Sequence, residues 1–367
     1  MKKFVSAAAM LAATTSLASA GGIDRSGQGI GLIFEQGNYA ELSYGSVSPS
    51  VSGTATAGFG GAASGDMAPN YTLLGLGYKY EFNDKLSFSL IYDQPFGADV
   101  AYPAATAIPA YFAQTATATL EATALTGLVR YKFDDNWSVH GGIRYQSLEA
   151  VASIPFVAGY TASAAKDYGV GYVLGAAYER PDIALRVALT YSSEISHALS
   201  TVEAGPLALT STTNVDTPQS LNLDFQTGIA ADTLLFGSIR WVDWSDFRIA
   251  PTGYGLATAG SALVSYADDV ITYNIGVGRR FNENWSGAVS LGYEKSNGGF
   301  SSNLGPTDGN ISIGLGGTYT NGGVKVTGGV RYIKIGNAQT TLGGGAAASN
   351  FTDNKAIAVG IKVGYSY

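Results

Sequence analysis

Cysteine is absent from this sequence of 367 residues, and charged residues make up only 13% of it. Soluble proteins usually have about a quarter of their residues charged. Small secreted domains usually depend on disulfides, which this chain cannot form. After residue 20, no apolar run reaches about eighteen residues, the length that a spanning helix needs. The composition therefore disfavours a soluble globule, a disulfide-stabilised domain and a helical membrane protein.

Positive charge is also scarce, and this bears on possible partners. The formal net charge is −7, or −9 without Lys2 and Lys3. Nucleic-acid binding depends on basic side chains that neutralise phosphates, so the sequence predicts no nucleic-acid partner. Glycine and tyrosine are abundant instead, with 49 and 23 residues.

The first twenty residues have the pattern of a secretory signal peptide. Two lysines precede an apolar run over residues 4–17, and the small residues Ala18-Ser19-Ala20 follow. This pattern predicts a signal peptide over residues 1–20, cleaved after Ala20, and an exported protein.

Short turns rich in Asn, Asp and Gly recur along the rest of the chain. Asp84, Asp134, Asp182, Asp232 and Asn282 follow one another at intervals of 48–50 residues. These residue types favour tight hairpins because they accept positive φ or bond locally to the backbone. The predicted turns are Asn83–Lys85, Asp134–Asn136, Pro181-Asp182, Ala231-Asp232, Asn282–Asn284 and Asn321–Gly323.

Period-2 alternation flanks each turn, with one apolar face that ends in aromatic residues and one small or polar face. Such strands, joined by short inner turns and long outer loops, are typical of an outer-membrane barrel, whose closure leaves no sheet edge in lipid. The sequence therefore predicts an all-β fold, a 14-stranded antiparallel transmembrane β-barrel over residues 38–367, in the bacterial outer membrane. The predicted outer loops are roughly 52–69, 97–117, 147–167, 197–216, 246–269, 295–309 and 335–354.

The last predicted strand alternates most clearly, from Ile357 to the terminal Tyr367. A final strand that ends on an aromatic residue resembles the C-terminal signal of bacterial outer-membrane proteins. The predicted partners are therefore outer-membrane lipid and the barrel-assembly machinery, the latter through Tyr367.

Catalytic patterns are sparse. The two histidines, His140 and His197, are expected on the lumen face near an inner turn and beyond the outer end of strand seven, too far apart for one site. Without cysteines or paired histidines there is no metal-site pattern, so we expect no enzyme and no cofactor. Gly27-Gln28-Gly29-Ile30-Gly31 follows no strand and opens no helix, which favours a flexible segment over a nucleotide loop.

Arginines occupy the predicted lumen face of several strands. They could form an internal salt-bridge lattice with nearby carboxylates, or one or two could remain unpaired to bind an anionic head group. Arg144 and Arg240 are the candidates for head-group binding. The six arginines are Arg130, Arg144, Arg186, Arg240, Arg280 and Arg331.

The second and third outer loops are too apolar for ordinary solvated loops. Exposed apolar surface of this kind usually marks a binding site, although the loops could instead pack on one another as a lid. The candidate ligand-binding residues in these loops are Tyr102, Tyr111, Phe112 and Phe156.

Several stretches resemble the FadL-type long-chain fatty acid transporters of the outer membrane. They are LRVALTYSSEISHAL (185–199), TPQSLNLDFQTGIAADTLLFGSIRWVDWSDF (217–247) and YNIGVGRRFNENWSGAVSLGYE (273–294), together with IYDQPFGADVAYP (91–103).

This resemblance implies a hydrophobic ligand, captured by outer loops, and an N-terminal hatch that plugs the lumen. It also implies a lateral path at an inward kink of the third strand, where Pro95 lies beside Phe96, a further candidate ligand-binding residue. The hatch would be residues 21–37, with Ile30, Leu32, Ile33 and Phe34 as candidate lining. The family's usual hatch is longer and carries an Asn-Pro-Ala stretch, which nothing between residues 21 and 40 matches.

The predicted function is passive uptake of hydrophobic molecules, long-chain fatty acids or similar compounds, across the outer membrane. One alternative is a general porin for small polar solutes, which would need unpaired charges at a constriction. The other is a structural or adhesive surface barrel whose loops bind a partner.

Overall fold

In the computed structural model, which describes residues 22–104, 108–343 and 345–367, the strands close into one antiparallel barrel. The first strand pairs with the last from Tyr39 opposite Ser366 to Ser50 opposite Lys355, which closes the sheet. The predicted signal peptide lies outside the described residues. The fourteen strands are β1 (Tyr39–Ser50), β2 (Tyr71–Glu81), β3 (Leu86–Asp93 and Gly97–Ala101), β4 (Thr117–Lys132), β5 (Trp137–Ile154), β6 (Tyr160–Arg180), β7 (Leu185–Ser192 and Ile195–Ala204), β8 (Leu209–Thr217 and Ser220–Ala230), β9 (Thr233–Val242), β10 (Val270–Arg280), β11 (Trp285–Glu294), β12 (Asn310–Asn321), β13 (Val324–Ile335) and β14 (Lys355–Ser366).

The short turns use the side chains that the sequence predicted. In three of them an Asx oxygen accepts the amide hydrogens two and three residues later. Asp134 Oδ1, for example, lies 2.8 Å from Asn136 N and 2.7 Å from Trp137 N. Asn83 and Asn282 do the same. Asp232 has a positive φ of 57°, as tight hairpins require.

The outer surface of the barrel is apolar. Leu76, Val129 and Ile361 are among its exposed side chains. Aromatic residues bound this surface at both ends, as lipid-facing barrels require. Those near the short turns include Phe82, Phe133, Trp137, Phe281 and Trp285, and those near the outer loops include Tyr145, Tyr168, Tyr172, Tyr273 and Tyr293.

Two predicted outer loops are largely strand, and a third begins as strand. The prediction of a loop over 147–167 is wrong, because β5 continues to Ile154 and β6 begins at Tyr160. The predicted loop over 197–216 reduces to the connection between Ala204 and Leu209. In the predicted loop over 97–117, residues 97–101 belong to β3. These outer extensions are rich in Ala, Ser and Thr, so they lack the lipid-facing aromatic signal.

Smaller elements cover the outer end of the barrel. Among the described residues, no helix is long and apolar enough to span a membrane. Between β9 and β10 lie a short helix, α1 (Thr252–Ala257), and a two-stranded ribbon. The remaining elements are the ribbon strands Arg248–Ile249 and Val264–Ser265, the loop-sheet strands Gly53–Ala55, Phe300–Ser301, Ala338–Thr340 and Ser349–Phe351, and the 3-10 turns Gly31–Phe34, Ala57–Phe59 and Pro181–Ile183.

The described N-terminal segment, residues 22–37, lies inside the barrel and is called the plug below. Ile23, Ile30 and Ile33 are buried, and Asp24 and Phe96 form an isolated β-bridge between the plug and the wall. The prediction that Gly27–Gly31 is flexible is wrong, since Gln28 is also buried and its carboxamide accepts a hydrogen bond from Ser220 of β8.

Candidate functional site

An apolar cavity of about 230 Å³ lies above the plug, toward the outer loops, and is called the outer cavity. Plug, strands and loops all contribute to its wall. Because these segments are distant in sequence, only closure of the barrel brings them together. Six of the lining residues are Ile23, Val47, Met67, Leu120, Ile249 and Tyr266.

Charged residues in the floor of the outer cavity are paired within the protein. Asp24 accepts a 2.6 Å hydrogen bond from Arg240 Nε, and Arg25 Nη2 lies 2.6 Å from Asp99. The Arg25 guanidinium also lies 4.0 Å from the ring centre of Tyr71. Paired charges leave little attraction for ions, so the cavity suits a neutral or largely apolar molecule.

The lower part of the plug is anchored by apolar and ionic contacts. Ile30 and Ile33 pack against Leu128 and Val173 of the wall. The ring centre of Phe34 lies 4.6 Å from the guanidinium carbon of Arg130 and 4.4 Å from that of Arg186. Glu35 forms a 2.9 Å ion pair with Lys325, and Lys79 donates a hydrogen bond to the Glu35 carbonyl.

Four aromatic residues of the outer loops, Tyr102, Tyr111, Phe112 and Phe156, form the loop cluster. Tyr111 stacks on Tyr102 and Phe112 at ring-centre distances of 5.5 and 4.5 Å, and Phe156 meets Phe112 edge-on at 5.7 Å. The cluster packs beside Met67, which lines the outer cavity. Burial raises the pKa of Tyr102 and of Tyr111, so both phenols stay neutral. The loop cluster therefore adds uncharged surface beside the outer cavity without lining it.

Trp244 connects the plug, the wall and an outer loop. Its side chain is fully buried, and its ring centre lies 5.9 Å from Phe96 and 5.1 Å from Tyr266. Gly22 packs so closely that a Cβ there would lie 2.7 Å from the indole. A larger residue at position 22 would therefore displace either the plug or Trp244.

The barrel wall has a gap beside the plug. β2 pairs with β3 only from Leu76 opposite Tyr92 to Glu81 opposite Ser87, and residues 97–101 pair only with β4. Pro95 interrupts β3 between these segments, as expected for a residue without an amide hydrogen. A cavity of about 160 Å³, called the wall gap, lies here. Its lining includes the plug residues Ser26, Gly29 and Leu32 and the membrane-facing residues Tyr44, Leu76 and Ile361.

Most of the predicted ligand-binding residues do not line either cavity. Leu32 lines the wall gap, and none of the other predicted residues is among the lining of either cavity. Phe96 lies one layer behind the outer cavity, against Trp244. A ligand-binding role for these residues stays a prediction.

The two candidate arginines differ in their surroundings. Arg240 is fully engaged, because it also donates to Ser220 and Asn222 at 3.1 and 2.8 Å, in addition to Asp24. Arg144 donates Nε–H to Thr126 at 2.9 Å. The salt-bridge lattice is therefore present in part, and with the plug in this position each side-chain nitrogen of Arg240 has a hydrogen-bond partner.

The histidines are not part of the cavities. The prediction that His197 lies beyond strand seven is wrong, because it belongs to the outer segment of β7 and is buried beside Gln146. His140 contacts Thr190 at 3.0 Å. These two contacts lie in different parts of the wall, as the sequence predicted.

Sequence reasoning missed Ile23, Trp244 and Tyr266 as parts of the site. Their pattern in the sequence is ordinary: an apolar residue near the predicted cleavage site and two aromatic residues near a predicted loop. Only the unusual length of the apolar loop over 246–269 could have drawn attention to Tyr266.

Comparison with solved structures identifies the fold. A Pseudomonas aeruginosa FadL homologue has a TM-score of 0.73 at 15% identity, covering 92% of each chain. The Pseudomonas putida toluene transporter TodX gives 0.65 at 14%, and the Ralstonia pickettii toluene transporter TbuX gives 0.63 at 12%, each covering 92% of this chain and 91% of the other. None of the curated sequences compared with the chain matches it.

The family comparison agrees with the fold and covers most of the chain. Residues 36–367 match the model of the outer membrane protein transport protein family (OMPP1/FadL/TodX). Members are transport channels, and the fourteen-stranded barrel indicates the bacterial outer membrane. The chain belongs to the OMPP1/FadL/TodX family of outer membrane transport proteins.

Proposed function

We propose that this protein takes up small hydrophobic molecules by diffusion, from the outer loops through the outer cavity and the wall gap into the outer membrane. One observation carries the proposal. The consecutive plug residues Arg25 and Ser26 line the outer cavity and the wall gap respectively, so a small movement of the plug would join them.

The hydrophobic effect can supply both capture and release. Burial of apolar surface is worth about 0.8 kcal/mol per methylene, which favours transfer from water into the outer cavity. The membrane is an equally apolar destination, so net transport follows the concentration gradient. Residues 22–37 occupy the lumen as a plug, which counts against the alternative of a water-filled porin.

The size of the outer cavity bears on the ligand. An apolar protein cavity of about 150 Å³ is large enough to bind benzene. The outer cavity, at about 230 Å³, therefore suits a monoaromatic hydrocarbon or part of an acyl chain while the plug stays in place. Long-chain fatty acids remain within the proposal, but an extended chain would have to reach beyond this cavity. The relatives named as toluene transporters support the compact ligand.

Uptake into outer-membrane vesicles tests the proposal. We would compare radiolabelled toluene, laurate and sucrose in vesicles with and without the protein. The expected result is faster uptake of at least one hydrophobic probe and unchanged sucrose. Faster sucrose uptake alone would favour the porin, and no difference for any probe would favour a structural barrel.

A pair of loop variants tests capture by the loop cluster. Replacing Phe112 and Phe156 together by Asp places charge among packed aromatic rings and should lower hydrophobic uptake about tenfold, since each of these half-buried rings contributes about 1 kcal/mol. Ile108→Asp is the control, because Ile108 lies in the same loop as Phe112 and its side chain is 98% exposed. Equal uptake by all three proteins would contradict the role of the loop cluster.

A further inference from the structure

Among the described residues, Arg331 is the one arginine whose side chain has buried nitrogens without a hydrogen-bond partner. Arg25, Arg130 and Arg240 each form an ion pair, with Asp99, Glu179 and Asp24. Arg331, on β13, is only 3% exposed, and no described carboxylate pairs with it. Its Nε and Nη2 atoms are buried and bind nothing among the described residues.

The contacts that Arg331 does make are weak. Nη1 lies 3.2 Å from Asn274 Oδ1 and 3.5 Å from Ser312 Oγ, at the long end of hydrogen bonding. The guanidinium lies across glycine positions of the neighbouring strands, since a Cβ at Gly314 would be 3.5 Å from Nε and one at Gly292 would be 3.4 Å from Nη1. Arg331 is therefore held by two long hydrogen bonds and by no ion pair among the described residues.

The barrel register places Arg331 at the level between the two cavities. Arg331 is opposite Ala358 of β14, and Ala358 is opposite Val47 of β1. Two residues toward the outside, Ala356 lines the outer cavity. Two residues toward the inside, Gly360 lines the wall gap. A molecule that moves from one cavity to the other therefore passes this level.

An unpaired buried guanidinium is costly, because burial removes its hydration and nothing replaces it. Its planar donors match a carboxylate in a bidentate arrangement. We propose that Arg331 is the specificity-determining residue for acidic hydrophobic ligands and binds their carboxylate as the apolar tail passes between the cavities. This inference rests on the proposed function.

Binding of laurate and 1-dodecanol, which share an alkyl chain, tests the proposal by calorimetry on detergent-purified protein. Arg331→Gln should weaken laurate binding about tenfold to a hundredfold, the loss expected for a charge-assisted hydrogen bond, and leave dodecanol binding unchanged. Arg331→Lys, which keeps the charge, should retain part of the laurate affinity. Arg280→Gln is the control, since Arg280 pairs with Asp232 at the inner rim.

Equal losses for both ligands in Arg331→Gln would mean a structural role, and no loss for laurate would mean that the carboxylate binds elsewhere. Either result overturns the inference. If wild-type protein binds neither ligand, the proposed function itself fails. Should Arg331→Gln not fold, the wild-type protein still decides, because its preference for laurate over dodecanol must vanish when the laurate carboxyl is protonated, below roughly pH 4.

Discussion

The barrel wall is interrupted in two regions, and only one of them is open. β3 breaks at Gln94-Pro95, and the wall gap lies beside that break. β7 and β8 break at Ser193-Glu194 and Pro218-Gln219, in neighbouring strands, and hydrogen bonds of Ser193 and Gln219 span that break. An interrupted strand is therefore not sufficient to open a barrel.

Side chains replace the lost ladder at the closed break. Ser193 donates its amide hydrogen to Tyr172 O at 3.0 Å and accepts from Tyr172 N through Oγ at 2.9 Å. Gln219 bridges Tyr191 and Asp243 with two 2.8 Å hydrogen bonds. At the open break, a single bond from Leu74 N to Gln94 Oε1 spans the space between β2 and β3.

The register explains why β3 leaves its partner. Asp93 of β3 is opposite Ala124 of β4, and Gly97 of β3 is opposite Glu121 of β4. Five residues of β3 therefore face four residues of β4, so β3 contains one extra residue there. The extra residue bends the strand inward, where the plug takes over its hydrogen bonds: Arg25 N donates to Pro95 O, and Gly97 N donates to Ile23 O. The open break is therefore held open by the plug.

Deletion of Pro95 should have the largest effect on this comparison. It removes the extra residue, so β3 could continue along β2 and close the wall gap. We expect uptake of hydrophobic probes into vesicles to fall about tenfold or more, because the exit must then cross a closed ladder. The folded barrel should persist, as judged by its heat-dependent mobility on gels. Undiminished uptake in a folded deletion variant would place the exit elsewhere.

Gln219→Ala should have a smaller effect, at the closed break. Loss of its two bridging bonds should lower the free energy of unfolding by about 1–3 kcal/mol. In a protein that also lacks Pro95, Gln219→Ala should restore part of the lost uptake if side chains alone close the break in β8. Gln339→Ala, in an exposed outer loop, is the control and should change neither quantity. If Gln219→Ala lowers the stability but restores no uptake in the protein without Pro95, the neighbouring strands suffice to close this break.

The membrane-spanning part of the fold could be predicted because lipid enforces a strict pattern. Alternation around Asp134 and Asn282 follows from the demand for an apolar outside and for tight inner turns. Beyond the bilayer that demand ends, so the outer extensions of β5 to β8 read as loops. Pro95 was visible in the sequence, but its consequence depends on the register between β3 and β4, which no local pattern contains.

The candidate site was harder to predict for a related reason. The outer cavity joins Ile23, Met67 and Tyr266, which meet only because the barrel closes and the plug folds into it. The arginines were recognised as lumenal, but their pairing depends on the plug: Asp24 occupies Arg240, while Arg331 stays unpaired. A pattern of charges along strands cannot say which of them the plug will neutralise.

The smallest expected effect concerns the outer segments of the closed strands, which hold a loop over the outer cavity. Glu203, at the outer end of β7, accepts hydrogen bonds from Tyr160 Oη at 2.7 Å and from Gly253 N and Tyr254 N of α1 at 3.0 and 2.9 Å. Burial alone would raise the pKa of Glu203, but these donors outweigh it and hold the pKa below the ordinary 4.5.

A carboxylate whose pKa is lowered by folding stabilises the fold fully at neutral pH, and this contribution is lost as the pH falls below its ordinary value. Wild-type protein should therefore keep the α1 loop closed above about pH 5 and loosen it in stronger acid. Glu203→Gln should loosen the loop at neutral pH and remove the acid-dependent step. Protease cleavage within residues 252–258, followed across pH, measures this. Identical cleavage profiles of the two proteins would show that the Glu203 carboxylate does not hold the α1 loop closed. Apolar packing on the outer cavity would then be what keeps this loop in place.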